Sequence, residues 1–256
     1  MKKLYVNIGL NQLYCHQKPD SWIEGEPYMW NVFFKIDGHS VRMNERFRLE
    51  GQPTYHTSEG SHGNLSADGM EAGTRIGIPK EVGEWKTALA PIEVPFFESH
   101  ISGVIGVVCV LMEQNYVSGK GAEAGRAALG EYIRSAIDAS IVGFDPRRVD
   151  LRDIDGSIKA YFDAQVRDFT ARIGDLVGDA VSSAQSLAQN ILSLVKKDVL
   201  IGFRVFDFSN AGIEAAGGQL EFGHRWAAKR VGEWEVRGRI SAKHDEEKRN
   251  AIRKDK

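Results

Sequence analysis

The sequence predicts an α+β protein, in which an antiparallel β-sandwich is interrupted by one long helical hairpin. Three observations predict this class. Strand-like segments occur at both ends of the chain, a central segment switches to helical spacing, and the strands that follow it are too few to form a domain alone. The predicted parts are N-terminal sandwich strands in 1–118, a helical hairpin in 119–197, sandwich-completing strands in 198–243 and a charged tail in 244–256.

The first strands show two different patterns. In Leu4–Leu10, apolar residues alternate with other residues, which is the period of a half-buried strand. Tyr28–Ile36 is aromatic and β-branched and ends at Asp37-Gly38. Because Asp-Gly is a strong tight-turn signal, this segment and Val41–Leu49 are predicted to pair as a hairpin.

Further strands are indicated on both sides of the helical region, at Trp85–Val94, Ile101–Met112, Val199–Phe208, Gln219–Trp226 and Trp234–Ala242. Ile101–Met112 is almost continuously apolar, which predicts a central strand covered on both faces. The strands on both sides of the helices are therefore expected to share one sheet system.

Two segments have helical spacing. In Gly121–Val142 the apolar residues recur three and four apart, as in an amphipathic helix, and Pro146 follows. A longer helix is predicted from about Asp155 to Lys197, with a nearly heptad apolar stripe. The natural partner of each helix is the other, which gives an antiparallel hairpin.

Composition excludes several function classes. The chain has 256 residues, a net charge of −2 and two cysteines. A balanced charge gives no field that would attract nucleic acid, and two cysteines are too few for a disulfide framework. The N-terminus lacks a continuous apolar run and no segment has the ~20 apolar residues of a membrane span. A cytoplasmic protein is expected.

Three acidic residues indicate a candidate metal site. Asp20 precedes Glu26 by six residues, Glu26 begins Glu-Pro-Tyr-Met-Trp-Asn-Val, and Asp207 lies near the end of a later strand. These residues weakly resemble the protein-kinase-C-type calcium- and lipid-binding β-sandwich, the C-two domain. The resemblance implies a sandwich whose end loops hold calcium, through Asp20, Glu26 and Asp207, and meet lipid. Three carboxylates are few for calcium, which prefers six to eight oxygen ligands, so the cofactor prediction is calcium or none.

Two other segments have simpler interpretations. Gly119-Lys120-Gly121 lies between a strand and a helix, but the chain lacks the alternating strands and helices of a dinucleotide-binding fold, and a glycine-rich helix start is favoured. The polar segment Gly51–Arg75 is predicted to be a mobile or functional loop. Its side chains that could bind a metal are His56, Glu59, His62, Asp68 and Glu71.

Three function classes follow. The favoured one is a non-enzymatic binding or interaction module, in which loops or the helical hairpin contact a protein partner or a second copy of the chain. The first alternative is a membrane-active protein, lipid-binding or toxin-like, that deploys the hairpin at a membrane surface. The second alternative is an enzyme of unrecognised class, since no known catalytic motif is present.

Overall fold

The computed structural model describes residues 2–19, 26–46, 48–65, 69–96, 99–114, 119–142, 160 and 199–244. Most of this part is antiparallel β-sheet. Its strands, in chain order, are β1 (Leu4–Gln17), β2 (Pro27–Ile36), β3 (Val41–Met43), β4 (Leu49–Gly51), β5 (Thr54–Thr57), β6 (Thr74–Gly77), β7 (Glu84–Leu89), β8 (Ile92–Val94), β9 (Ser99–Ile101), β10 (Val104–Glu113), β11 (Val199–Ser209), β12 (Gln219–Ala228) and β13 (Gly232–His244). Its helices are α1 (Lys80–Gly83), α2 (Gly119–Val142) and α3 (Asn210–Ala215).

The strands form two main sheets. Sheet A has the order β12-β13-β1-β6, and β7 pairs with the remaining length of β1 beside β6. Sheet B has the order β11-β10-β2-β5. The strands after the helical region therefore join both sheets, because β11 pairs with β10 and β13 pairs with β1. This confirms the prediction of a shared sheet system.

Sheet A and sheet B share one hydrophobic core. Ile8 and Trp234 of sheet A lie in the same buried cluster as Phe33 and Val107 of sheet B. Each apolar side chain of this size contributes about 1.5–3 kcal/mol when it is fully buried. The alternation in Leu4–Leu10 arises here, because every second side chain of β1 enters this core.

A second core covers the other face of sheet B. Trp30 and Val108 are among the sheet B side chains that point into it, and α2 and the β3–β4 and β8–β9 hairpins cover them with further side chains. All ten residues of β2 and all ten of β10 are consequently buried. The predicted central strand with two covered faces is therefore confirmed in β10.

Helix α2 confirms the predicted amphipathic segment. Its buried residues Ala122, Leu129, Ile133 and Ile137 recur at helical spacing and join the second core. Gly125 lets the Trp30 indole approach, since a Cβ there would lie 3.0 Å from that ring. The second predicted helix, 155–197, lies outside the described residues apart from Ala160, so its pairing with α2 stays a prediction.

The predicted hairpin at Asp37-Gly38 is wrong. Strand β2 pairs with β10 and β5, whereas β3 pairs with β4. The reason is the buried Asp37 carboxylate, which accepts hydrogen bonds from Lys35 Nζ at 3.1 Å and from the Ala90 backbone N–H at 3.0 Å. These contacts fix a bend that directs the chain away from β2.

The helical region is inserted between two neighbouring strands. Glu113, the last residue of β10, pairs with Val199, the first residue of β11. The chain therefore leaves sheet B and returns to it at adjacent positions. In the described part, no helix is both long and apolar enough to cross a membrane.

Candidate functional site

The outer face of sheet A, the face turned away from the shared core, presents polar side chains in rows across the strands. On β1 this face carries Tyr5, Asn7 and Gly9, and after a register shift between Leu10 and Gln12 it carries Gln12, Tyr14 and His16. A β-bulge shifts which residues of a strand face each side. One strand with alternating burial thus supplies two groups of outward residues.

A cleft of about 520 Å³ crosses this face. It is lined by three consecutive residues from each of three adjacent strands, Tyr5–Asn7, Lys86–Ala88 and Ser241–Lys243, together with Gln219. The strand register places Asn7 between Lys86 and Ser241.

A smaller cleft of about 300 Å³ continues along the same face and shares Asn7 and Ser241 with the first. Its lining includes Gly9, Glu84 and Arg239. Arg239 is paired with Glu221 of β12, their side chains 2.6 Å apart. The smaller cleft therefore carries charges of both signs, whereas lysines are the only charged residues among those described in the lining of the larger one.

Asn7 lies where the two clefts meet, and its Oδ1 is buried without a hydrogen-bond partner among the described residues. A buried acceptor that lacks a donor costs about 1–3 kcal/mol. The terminal torsion of an asparagine side chain is broad, so the amide can turn toward the cleft at little cost. Asn7 is thus able to exchange an unsatisfied oxygen for a hydrogen bond to a bound molecule.

The larger cleft has a cationic rim. Lys243 makes no ion pair among the described residues, and Lys3 Nζ lies 5.3 Å from the centre of the Tyr5 ring. Lys86 is paired with Glu84 at 2.5 Å, but its side chain is 69% exposed. The Tyr5 end of the cleft therefore has more positive than negative charge.

The opposite end of the face holds a compact ionic network. His16 Nε2 lies 2.7 Å from Glu235 Oε2, and Arg237 Nε donates to Glu235 Oε1 at 2.6 Å. The Arg237 guanidinium also lies over the Tyr14 ring, 4.7 Å from its centre. The hydrogen bond from Arg237, followed by that from His16, lowers the pKa of Glu235 below 4.5. A histidine oriented by a carboxylate can act as a general base. The described contacts of His16 include no nucleophile that it could activate.

Two of the three predicted calcium ligands, Glu26 and Asp207, lie far apart. Glu26 lies just before Pro27, which pairs with Glu113, whereas Asp207 pairs with Gly106. Seven residues of β10 separate these positions, or about 23 Å at 3.3 Å per residue, so Glu26 and Asp207 cannot ligate one ion. Asp20 lies outside the described residues. Within the described part, no three His, Cys, Asp or Glu side chains are grouped to hold a metal ion, and calcium binding by this protein stays a prediction.

The other sequence candidates lie in structural positions. His56 is on β5 and stacks on Trp85, with the ring centres 6.0 Å apart, and His62 packs edge-on against Tyr28. Gly119 and Gly121 form the first turn of α2, as the helix-start interpretation expects. Asp68 lies outside the described residues.

Sequence reasoning missed the residues of the cleft. The alternation in Leu4–Leu10 indicates that Tyr5 and Asn7 share one face, but it cannot indicate which strands lie beside them. Their neighbours, Lys86 and Ser241, are far away in the chain and are brought in by strand pairing alone.

Comparisons with protein-family models, with curated proteins and with solved structures found no match to this chain.

Proposed function

We propose that the protein is a non-enzymatic binding module and that the outer face of sheet A is its binding surface. The observation that carries this proposal is the cleft of about 520 Å³ over Asn7, because ligand sites are concave and place a few polar groups among apolar surface. Its volume suits a small molecule rather than a protein segment.

Binding is favoured over catalysis by the chemistry of the lining. Asn7, Ser241 and Gln219 offer amide and hydroxyl groups, and Lys86 and Lys243 offer fixed positive charge. None of the described contacts joins Ser241 to a base that could activate its hydroxyl. The His16–Glu235 pair lies at the far end of the face, because His16 is nine residues along β1 from Asn7.

We further propose that the scaffold is a β-sandwich with an inserted helical hairpin, in which residues 155–197 pair with α2. The core shared by sheets A and B supports the first part. The heptad spacing of 155–197 and the position of α2 on sheet B support the second. In this arrangement the hairpin lies on the side of the molecule opposite the cleft.

A small-molecule screen monitored by two-dimensional amide NMR tests the binding surface. We expect shift changes from hits to concentrate at Tyr5–Asn7, Lys86–Ala88 and Ser241–Lys243. Ser241→Tyr should abolish them, because the added ring fills the cleft between β1 and β12.

The matched control is Ala227→Tyr, which adds the same ring to the outer face of β12, opposite Glu233 and away from the cleft. It should leave the shifts unchanged. Hits that map instead to α2 or to the loops at the ends of the sheets would overturn the proposed surface.

A further inference from the structure

We infer that the cleft recognises a small hydroxylated anion, namely a mono- or disaccharide that carries a carboxylate, phosphate or sulfate group. This inference rests on the proposed binding surface and names the chemical class of its ligand. Two sets of side chains support it: lysines around one end of the cleft, and neutral hydrogen-bonding groups along its floor.

The two lysines lie on either side of β1, and Lys86 is paired with Glu84, so it has to leave this ion pair to reach a bound anion. Lys243 is on β13 and pairs with Tyr5 of β1. Lys86 is on β7 and pairs with Asn7 from the other side of β1. With strands about 4.8 Å apart and a rise of about 3.3 Å per residue, their Cα atoms are roughly 12 Å apart on a diagonal across the cleft. Two extended lysine side chains can close that distance, so both ammonium groups can reach an anion bound above β1.

The neutral groups provide the rest of the recognition. Asn7, Ser241 and Gln219 lie side by side, because Asn7 pairs with Ser241 and Ser241 pairs with Gln219. An amide or a hydroxyl both donates and accepts hydrogen bonds, as a polyol requires. The unsatisfied Asn7 Oδ1 would gain a donor from a sugar hydroxyl.

The charges beyond Asn7 differ from those at the Tyr5 end. The smaller cleft carries Lys80, Glu84 and Arg239, and Arg239 is paired with Glu221 on the same face. Opposite charges there are partly paired with each other, whereas the charged residues described in the lining of the larger cleft are lysines. We therefore place the anionic group of the ligand at the Tyr5 end.

Amide NMR titrations with glucose, glucuronate, glucose 6-phosphate and glucose 6-sulfate test the inference. Each of the three anions should shift the cleft resonances at concentrations at least fivefold lower than glucose. The paired substitution Lys86→Gln and Lys243→Gln should weaken anion binding at least fivefold and leave glucose binding unchanged. Raising sodium chloride from 20 to 300 mM should weaken the anions selectively.

Lys229→Gln is the matched control, because this exposed lysine lies in the turn between β12 and β13, outside the cleft. It should leave all affinities unchanged. If glucose binds as tightly as the anions, or if Lys229→Gln weakens them as much as the paired substitution, the inferred ligand class is wrong while the binding surface stands. If other screening hits occupy the cleft and none of the four sugars does, the ligand class is again wrong. Sugar-induced shifts confined to other parts of the molecule would overturn both the ligand class and the surface.

Discussion

At the scale of single residues, Phe96 has a strained backbone conformation and Glu235 carries a charge that its neighbours stabilise. Phe96, after Pro95 in the turn that follows β8, has φ of 68° and is 74% exposed. This left-handed conformation costs a residue with a Cβ about 1–2 kcal/mol, and an exposed ring recovers little of that cost. Glu235 carries a charge, and its carboxylate accepts a hydrogen bond from Arg237 Nε and lies 2.7 Å from His16 Nε2 on the outer face of sheet A.

Replacing Phe96 with glycine should stabilise the protein. Glycine adopts positive φ without strain, although it adds entropy to the unfolded chain, so we expect a net gain of about 0.5–1 kcal/mol in the free energy of unfolding. Urea denaturation measures this change. Phe96→Ala removes the same ring and keeps the strain, so it should unfold at nearly the wild-type urea midpoint. Equal midpoints for the two variants would contradict the argument.

Replacing Glu235 with glutamine should lower the melting temperature at pH 7 by about 1–3 °C, since ion pairs near a surface contribute about 0.2–1 kcal/mol. The pKa of Glu235 is lowered in the folded state, so its contribution is present above pH 4.5 and is lost as the pH falls through the folded-state pKa. The difference between variant and wild type should therefore shrink below pH 4. Glu93→Gln, at an exposed residue of β8 with no described ion pair, should show little difference at either pH.

At the scale of elements, the seam between the two sheets depends on close contact between β11 and β12. The Trp226 indole occupies the space above Gly202, where a Cβ would lie 2.3 Å from the nearest ring atom. The same indole donates from Nε1 to the Phe203 carbonyl oxygen at 3.1 Å. Phe222 packs against Phe206 and Phe208 along the same seam.

Gly202→Ala should therefore destabilise the protein by about 1–3 kcal/mol, as overpacking of a core does. Guanidinium denaturation measures the loss. Gly77→Ala, on β6, is the matched control, because a Cβ at Gly77 meets nothing within 4 Å. If the two variants have the same stability, Trp226 does not hold the seam.

The elements also show which parts of the fold the sequence could predict. Local sequence is sufficient for β2, β10, β11 and α2, because a strand covered on both faces is apolar throughout and an element covered on one face shows the period of its buried side. The Asp37-Gly38 hairpin was mispredicted because the direction of the chain after Asp37 depends on the hydrogen bonds of its carboxylate with Lys35 and Ala90. Ala90 is far away in the chain. The cleft could not be predicted, because its residues become neighbours only through the register of β7, β1, β13 and β12.

At the scale of the whole molecule, the cleft and α2 lie on opposite sides, one on sheet A and the other on sheet B. Sheet A, with the cleft, is complete without residues 143–198, since all of its strands lie in the parts of the chain before and after that segment. Helix α2 is different, because Ile133 and Ile137 complete the second core.

Replacing residues 143–198 with a flexible linker should therefore preserve the fold and the cleft. Helix α2 is about 36 Å long at 1.5 Å per residue, so the return to β11 requires a linker of about 30 Gly and Ser residues. We expect the amide resonances of Tyr5–Asn7 and Ser241–Lys243 to keep their positions. In the shortened protein, Ile133→Asp should abolish cooperative unfolding, which would show that α2 is still packed on sheet B. Loss of the cleft resonances in the shortened protein itself would contradict the expectation.

The pairing of Glu113 with Val199 has a practical consequence for protein engineering. Directly paired residues of antiparallel strands have Cα atoms about 4.5–5.5 Å apart, so the inserted region leaves sheet B and returns to it through closely spaced ends. A fluorescent protein or an enzyme could be grafted in place of residues 143–198, with α2 kept on sheet B, while the opposite side of the molecule stays open to the proposed ligand. The chain would then be the scaffold of a biosensor, in which the proposed ligand binds on one side and the grafted reporter protein lies on the other.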